Sequence, residues 1–416
     1  MRTKIETERT HLFDVGIQIA MRIRISGRVT EAELRSSFEY AVEAHGVLGT
    51  HIILDESGEA FYEENDGAFY EERKGNQNGF FMEETPWEDI LRREERNRFR
   101  IEEGEYLRAF CYQLDQEGCE ILFLMHHLGG DGKSLVYFIE TFMRSLSGEE
   151  LTFREIRTIP SEEMDRKELR RKLGPAALIP GIYNGKWKKD PSKKVFLFSD
   201  LDEAYDSFWE TRESKVSEYR ISPEMQSKIL TRCKAWDVRF TAYLITAFLR
   251  RSGRKMDIGL AADARTDHNR CMGNQATGIS VQYTYRKKLS FRENVVRVQN
   301  LMDEKLEDED KRMFFLPFIA AFDPTLLDAL LLEHAGTFHS KTSGRLAKLM
   351  GYVKKKDLSV TNLTKLDIPV SYGKYRIEYF SFVPPVIATA KNVIGVSTLG
   401  DCTIMTVHRM LNKISE

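Results

Sequence analysis

Two adjacent histidines, His126-His127, run into Leu128-Gly129-Gly130-Asp131-Gly132, so two imidazoles and a carboxylate fall within seven positions. A neutral imidazole, with a pKa of about 6.5, can accept a proton at neutral pH, which makes general-base chemistry available to this segment. Neighbouring residues at a strand end point to opposite faces, so the pair is poorly arranged to share a metal ion, and only one of them should line a cavity. Gly129 and Gly130 let the chain turn sharply, Asp131 stands where a helix would begin, and Gly132 leaves room beside it for a ligand. Asp131 could serve simply as a helix cap, but a cap alone leaves the paired histidines without a purpose.

A rival reading of the same loop is phosphate binding, because Gly132-Lys133-Ser134 imitates the end of G-x-x-x-x-G-K-[ST]. That pattern needs glycine at the position of His127, and without it the loop loses the open end whose N–H groups surround a phosphate.

The loop must be held by the elements around it. Ile121-Leu122-Phe123-Leu124-Met125 is apolar on both faces, which predicts a central strand running into His126. Leu135, Val136, Phe138, Ile139, Phe142, Met143 and Leu146 predict a helix with a broad buried face directly after Gly132. Upstream, Ile17 to Ile25 alternates as a half-buried strand, and Thr30 opens a helix through a capping box with Glu33. Arg108 to Tyr112 reads as another strand. The segments Ala60 to Glu64 and Ala68 to Glu72, separated by Asn65-Asp66-Gly67, suggest a β-hairpin. Pro160, Pro180 and Pro191, with lysines 186, 188, 189, 193 and 194, mark fading periodicity and an interdomain connection. Helices opened by Ser222-Pro223 and by Thr241 follow. Strands are predicted at Ile258 to Ala262, Leu358 to Thr361, Tyr375 to Phe382 and Val393 to Val407, the last turning at Leu399-Gly400-Asp401. The chain divides as residues 1–185, which carry the loop, a linker over 186–214, and a second unit over 215–416.

The 416 residues, 42% hydrophobic and 30% charged, suit a globular protein of two or three domains at roughly 150 residues each. No stretch of about 18 apolar residues would span a membrane, and the charged N-terminus lacks a signal-peptide core, so the chain reads as cytoplasmic. The 62 basic and 64 acidic residues leave a net charge of -2, which gives no global reason to bind nucleic acid. Cys111, Cys119, Cys233, Cys271 and Cys402 are scattered singly and read as free thiols, with no metal site.

The string His126 to Gly132 resembles H-H-x-x-x-D-G, the signature of the superfamily that contains chloramphenicol acetyltransferase, plant-type and alcohol acyltransferases, and condensation domains of peptide synthetases. The resemblance extends to Ala44-His45-Gly46-Val47-Leu48 and Gly104-Glu105-Tyr106-Leu107-Arg108. It continues through Asp263-Ala264-Arg265 with Met272-Gly273-Asn274, and Ser359-Val360-Thr361-Asn362-Leu363. The plant-type D-F-G-W-G motif is absent, which disfavours that branch. No adenylation or carrier domain neighbours the motif region, so a resemblance to a condensation domain implies a free-standing one, beside the alcohol acetyltransferase-like alternative.

This resemblance implies an α/β (α+β) chain with two chloramphenicol acetyltransferase-like subdomains, each a mixed, mainly antiparallel sheet flanked by helices. They would form a V around a central channel. It implies an acyltransferase of the kind that moves groups other than aminoacyl groups, with His127 as general base. His126, Asp131 and Gly132 would be motif residues, Arg265 the structural partner of Asp131, and Thr361, Ser359 or Asn362 the oxyanion donor. No cofactor would be permanently bound. Acyl-coenzyme A or a phosphopantetheine-linked acyl group would be the donor, a small alcohol or amine the acceptor, and an acyl carrier protein a partner. The lysines from 186 to 194 could meet the phosphates of coenzyme A or the acidic face of a carrier protein, although such runs are more often solvated linkers. The alternative is a non-catalytic condensation-like module that recruits a carrier protein.

Overall fold

The computed structural model describes residues 2–73, 77–159, 166–265 and 269–413; Pro160 lies outside them. Two six-stranded sheets dominate. The first runs Ser371–Tyr372, Tyr375–Val383, Gln18–Ser26, Gly118–His126, Leu107–Leu114 and Gly79–Met82. The second runs Ala276–Thr284, Lys255–Asp263, Leu358–Lys365, Val393–Leu399, Cys402–Asn412 and Arg212–Ile221. Both are mainly antiparallel, with parallel pairing where Gly79–Met82 meets Leu107–Leu114 and on either side of Leu358–Lys365. A small third sheet joins Arg2–Lys4, Ala60–Glu64 and Thr50–Leu54.

The hydrophobic pattern explains the central elements. In Gln18–Ser26 the alternate residues Ile19, Met21, Ile23 and Ile25 are buried, while every residue from Ile121 to Met125 is buried, as a strand covered on both faces requires. The Thr30 hydroxyl accepts from Glu33 N and the Glu33 carboxylate accepts from Thr30 N, which completes the expected capping box on Glu31–Glu43. That helix packs beside Gly132–Leu146 on the first sheet. Helices Phe240–Ser252 and Phe291–Leu306 cover the second sheet around a smaller core that includes Ile258, Val281 and Val360.

Three expectations require correction. Ala60–Glu64 is a strand, but its partners are Thr50–Leu54 and Arg2–Lys4, and Gly67–Arg73 is a helix, so the hairpin does not form. Asp66 accepts from the backbone N of Phe69 and nucleates that helix, where a turn between strands was expected. Residues 186–214 are more than a linker, because Phe198–Thr211 is a helix that buries Leu201, Ala204, Tyr205, Phe208 and Trp209. The division at 185 and 215 also fails to follow the sheets: Tyr375–Val383 pairs with Gln18–Ser26, so a strand from the late chain helps build the first sheet. Arg212–Ile221, whose polar and apolar residues alternate weakly, was not anticipated, and neither was Ala276–Thr284, although its Thr277, Ile279, Val281 and Tyr283 alternate as a half-buried strand.

One buried ion pair ties the N-terminal segment down. Arg9, in the short 3-10 turn Arg9–His11, donates to both carboxylate oxygens of Asp328 on Pro324–Ala335, with Nε at 2.9 Å, and both side chains are almost fully buried. Removing one partner leaves an uncompensated charge in a dry interior. Asp328→Ala is therefore expected to lower unfolding stability by about 3 to 5 kcal/mol in a urea titration, far beyond a surface ion-pair deletion.

Candidate active site

The motif strand delivers His126 and His127 to opposite sides, as strand geometry requires. His126 is buried among protein groups: its Nδ1 accepts from Leu128 N at 3.2 Å, its ring meets Phe99 edge-on at 6.1 Å, and burial pushes its pKa down to about 3. His127 instead lines a cavity of about 800 Å³. Among the described residues its Nδ1 finds no partner in another side chain or backbone group. Burial lowers its pKa below 6.5 and outweighs the Asp131 carboxylate and its own carbonyl, both of which favour the charged ring.

The turn after the histidines needs glycine at one position above all. Gly130 adopts φ of +147°, and a Cβ there would lie 2.4 Å from the Cβ of Ser134. Gly132 keeps an ordinary backbone but faces Leu363 closely, so the space it leaves is filled partly by the late chain as well as by the cavity.

Asp131 caps Gly132–Leu146 by accepting from Ser134 N at 2.9 Å, and it does more than cap. Arg265 Nη1 and Nη2 each donate to one of its oxygens at 3.0 Å, a bidentate pair, and Gln275 N donates to Oδ2 at 2.9 Å. Burial would raise this carboxyl, but Arg265 and the N–H donors hold it below its ordinary value. Arg265 is itself held by Asp263, whose other oxygen accepts from Lys133 at 2.7 Å. Lys133 is thus engaged by a carboxylate, the opposite of what a phosphate loop asks of that lysine. Ser134 donates to the Gly273 carbonyl at 2.9 Å, and these contacts bind the motif helix to the Asp263-Ala264-Arg265 and Met272-Gly273-Asn274 segments.

Of the three oxyanion candidates, Ser359 and Thr361 line the cavity. Asn362 does not. Successive strand residues alternate, and its side chain is turned the other way, where Nδ2 donates to Thr241 Oγ1 at 2.8 Å and Oδ1 accepts from Thr364 N. It is removed from the candidate set. Lysines 186, 188, 189, 193 and 194 are also absent from the cavity, and Lys193 and Lys194 pair with Asp323 and Asp200. Cys111, Cys119, Cys233 and Cys402 are free thiols, and no group of three or more His, Cys, Asp or Glu among the described residues is placed to hold a metal ion. No helix among them is long and apolar enough to cross a membrane.

No pattern in the sequence points to His11. Its ring centroid stands 4.5 Å from that of His127 across the cavity wall, with Asn274 Nδ2 at 3.4 Å from its Nδ1. Burial and then the two motif histidines keep its pKa well below 6.5. A lone histidine preceding a strand carries no pattern from which this meeting could be read.

A second unanticipated group is Glu8, which lies against the back of the loop. The Tyr62 hydroxyl is 3.0 Å from its Oε1 and donates to the Leu128 carbonyl at 2.9 Å. Burial raises the Glu8 pKa to about 8, so the neutral acid is the form the fold prefers. A carboxyl raised in this way stabilises the protein fully below its ordinary pKa of 4.5, and that contribution fades as pH rises towards 8. Glu8→Gln, which stays neutral, should therefore match the parent Tm near pH 4.5 and exceed it by several degrees near pH 8. Arg265→Ala is expected to destabilise by about 3 to 5 kcal/mol, with a much smaller loss when Asp131→Asn is added, measured as a double-mutant cycle by urea unfolding.

No protein-family model matches this chain, and no curated protein does. Solved structures are similar over almost its whole length. The condensation domain of the monacolin K polyketide synthase MokA superimposes with a TM-score of 0.61 at 12% identity, covering 98% of this chain and 92% of that one. The first condensation domain of the calcium-dependent antibiotic synthetase, in complex with a substrate analogue, gives 0.63 at 12% over 98% and 91%. The trichothecene 15-O-acetyltransferase of Fusarium sporotrichioides gives 0.61 at 12% over 100% and 91%. The two mixed sheets flanked by helices are thus the fold of condensation domains and chloramphenicol acetyltransferase-like acyltransferases, with the H-H-x-x-x-D-G loop set on its cavity.

Proposed function

We propose that this chain is an acyltransferase that moves an acyl group from a thioester to a hydroxyl or amine, with His127 as the general base. The observation that carries the reading is a division of labour within the loop. The His127 imidazole, held neutral, faces the cavity, while the Asp131 carboxylate is fully occupied by Arg265, Ser134 and Gln275. The likeness in fold to condensation domains and an acetyltransferase supports it.

The chemistry needs little more. The imidazole takes the proton of the acceptor as its oxygen or nitrogen attacks the thioester carbonyl, and a tetrahedral oxyanion forms. The hydroxyl of Thr361 or Ser359 is the candidate donor to that oxyanion. Collapse expels the thiolate, a good leaving group with a reference pKa of about 8.5, and the imidazolium returns its proton to the sulfur. No covalent enzyme intermediate and no bound cofactor are required. His11 stands beside His127 as a second imidazole that burial and then its neighbour keep neutral. The donor is coenzyme A or the phosphopantetheine arm of a carrier protein. Cavity residues differ from a mere recruitment surface in that a binding role needs no base.

Purified protein incubated with acyl thioesters and a panel of alcohols and amines should form esters or amides, followed by mass spectrometry. His127→Ala should lose roughly 100- to 10,000-fold in kcat while keeping its fold by circular dichroism. Unchanged turnover would remove His127 from the mechanism. Thr361→Val or Ser359→Ala, whichever residue donates, should cost about 3 to 4 kcal/mol of transition-state stabilisation.

A further inference from the structure

The cavity that His127 lines has a chemically one-sided arm. Three helices build it: Leu178–Trp187 supplies Ile179, Phe315–Ala320 supplies Leu316 and Phe318, and Lys341–Leu349 ends in Leu349, followed by Met350. Phe314 stacks on Phe318 at 5.6 Å, and Phe318 meets Phe322 edge-on at 5.2 Å, which makes a packed aromatic floor. The charged residues that reach the cavity, Asp14, Asp131, Lys305, Lys311 and Lys356, come from elsewhere: among the described residues, no charged side chain of these three helices lines it.

The arm is also open at its rim. Leu349 is 50% exposed and Phe315 38%, and both line the same cavity. Large apolar side chains at a cavity mouth leave area that a bound apolar group would remove from water. The helix Phe315–Ala320 packs against the turn Arg9–His11, so the arm adjoins the histidine beside His127.

Resting on the acyl-transfer reading, we propose that this arm holds a hydrocarbon chain of the substrate. The reacting carbonyl or nucleophile then lies at His127 and the chain extends between Ile179, Phe318 and Met350. A pocket in the range of roughly 300 to 1,000 Å³ suits a drug-sized or lipid-sized ligand, and this cavity of about 800 Å³ falls within it. Acetyl transfer alone would leave the arm filled with water against aromatic walls. The chain belongs either to the acyl donor or to the acceptor, and the same chemistry recognises both.

The test uses the full chain and two substrate series. Acetyl, octanoyl and palmitoyl thioesters of pantetheine are given a fixed short alcohol; butanol, octanol and dodecanol are given a fixed acetyl thioester. Calorimetry of unreactive S-alkyl pantetheine thioethers and of the same alcohols measures binding without turnover. In at least one series, affinity or kcat/KM should rise by about tenfold or more between the shortest and the octyl member, since each buried methylene can tighten binding by up to about fourfold. The series that rises assigns the chain to donor or acceptor. Ile179→Trp and Met350→Trp, two half-buried positions checked by thermal melts, should each cut the long-to-short ratio by about tenfold or more. No rise with length in either series, or a rise untouched by both substitutions, would overturn the proposal. Length-dependent binding with no turnover on any thioester would sink the acyl-transfer reading and leave the hydrocarbon arm standing, and turnover without length dependence would do the reverse.

Discussion

A carboxylate moved out of water costs several kcal/mol unless its charge is met, and the burial of Asp131 is the constraint from which the site follows. Arg265, Ser134 and Gln275 meet it from two different parts of the fold. Ser134 belongs to the motif helix, whereas Arg265 and Gln275 flank the chain between two strands of the second sheet. Satisfying one negative charge therefore fixes the motif loop against the opposite wall of the cavity. Lys133 and Asp263 extend the same lattice of charges towards the surface.

Asp131 is paired in this way with Arg265, while His127 Nδ1 finds no partner among the described residues. The charge state of His127 is then set by its surroundings. Burial favours the neutral ring and outweighs the pull of the nearby Asp131 charge towards the protonated one. On the other side of the loop, Glu8 sits as a neutral acid beneath Leu128, linked through Tyr62. The loop is thus bounded by one ionised and one neutral carboxyl. Asp131 has an arginine and two backbone N–H donors to meet its charge, whereas Glu8 has the phenol of Tyr62.

Local patterns were legible in the sequence where the physics is local. The alternation from Ile17, the doubly apolar strand before His126, the Thr30 capping box and the Asp131 cap all follow from spacing within a few residues. The Asp131–Arg265 pair came instead from a resemblance, since no local signal links residues so far apart. His11 and Glu8 were invisible because their roles arise only when the N-terminal turn is pulled against the loop by the Arg9–Asp328 pair. Asn362 failed as a candidate for the simplest reason. It lies one residue from Thr361, and one step along a strand reverses the face. Likewise Phe69 and Tyr70 resembled a strand in composition, but Asp66 turned the segment helical.

The proposed mechanism needs a neutral His127 in a cavity where Asp131 serves structure. A titration of the histidine side-chain nitrogens by NMR in the intact protein, with His127 assigned through its substitution, reads this directly. A neutral His127 ring at physiological pH, with a midpoint below 6.5, is the expected result. A midpoint above 6.5, with the ring charged under working conditions, would contradict it.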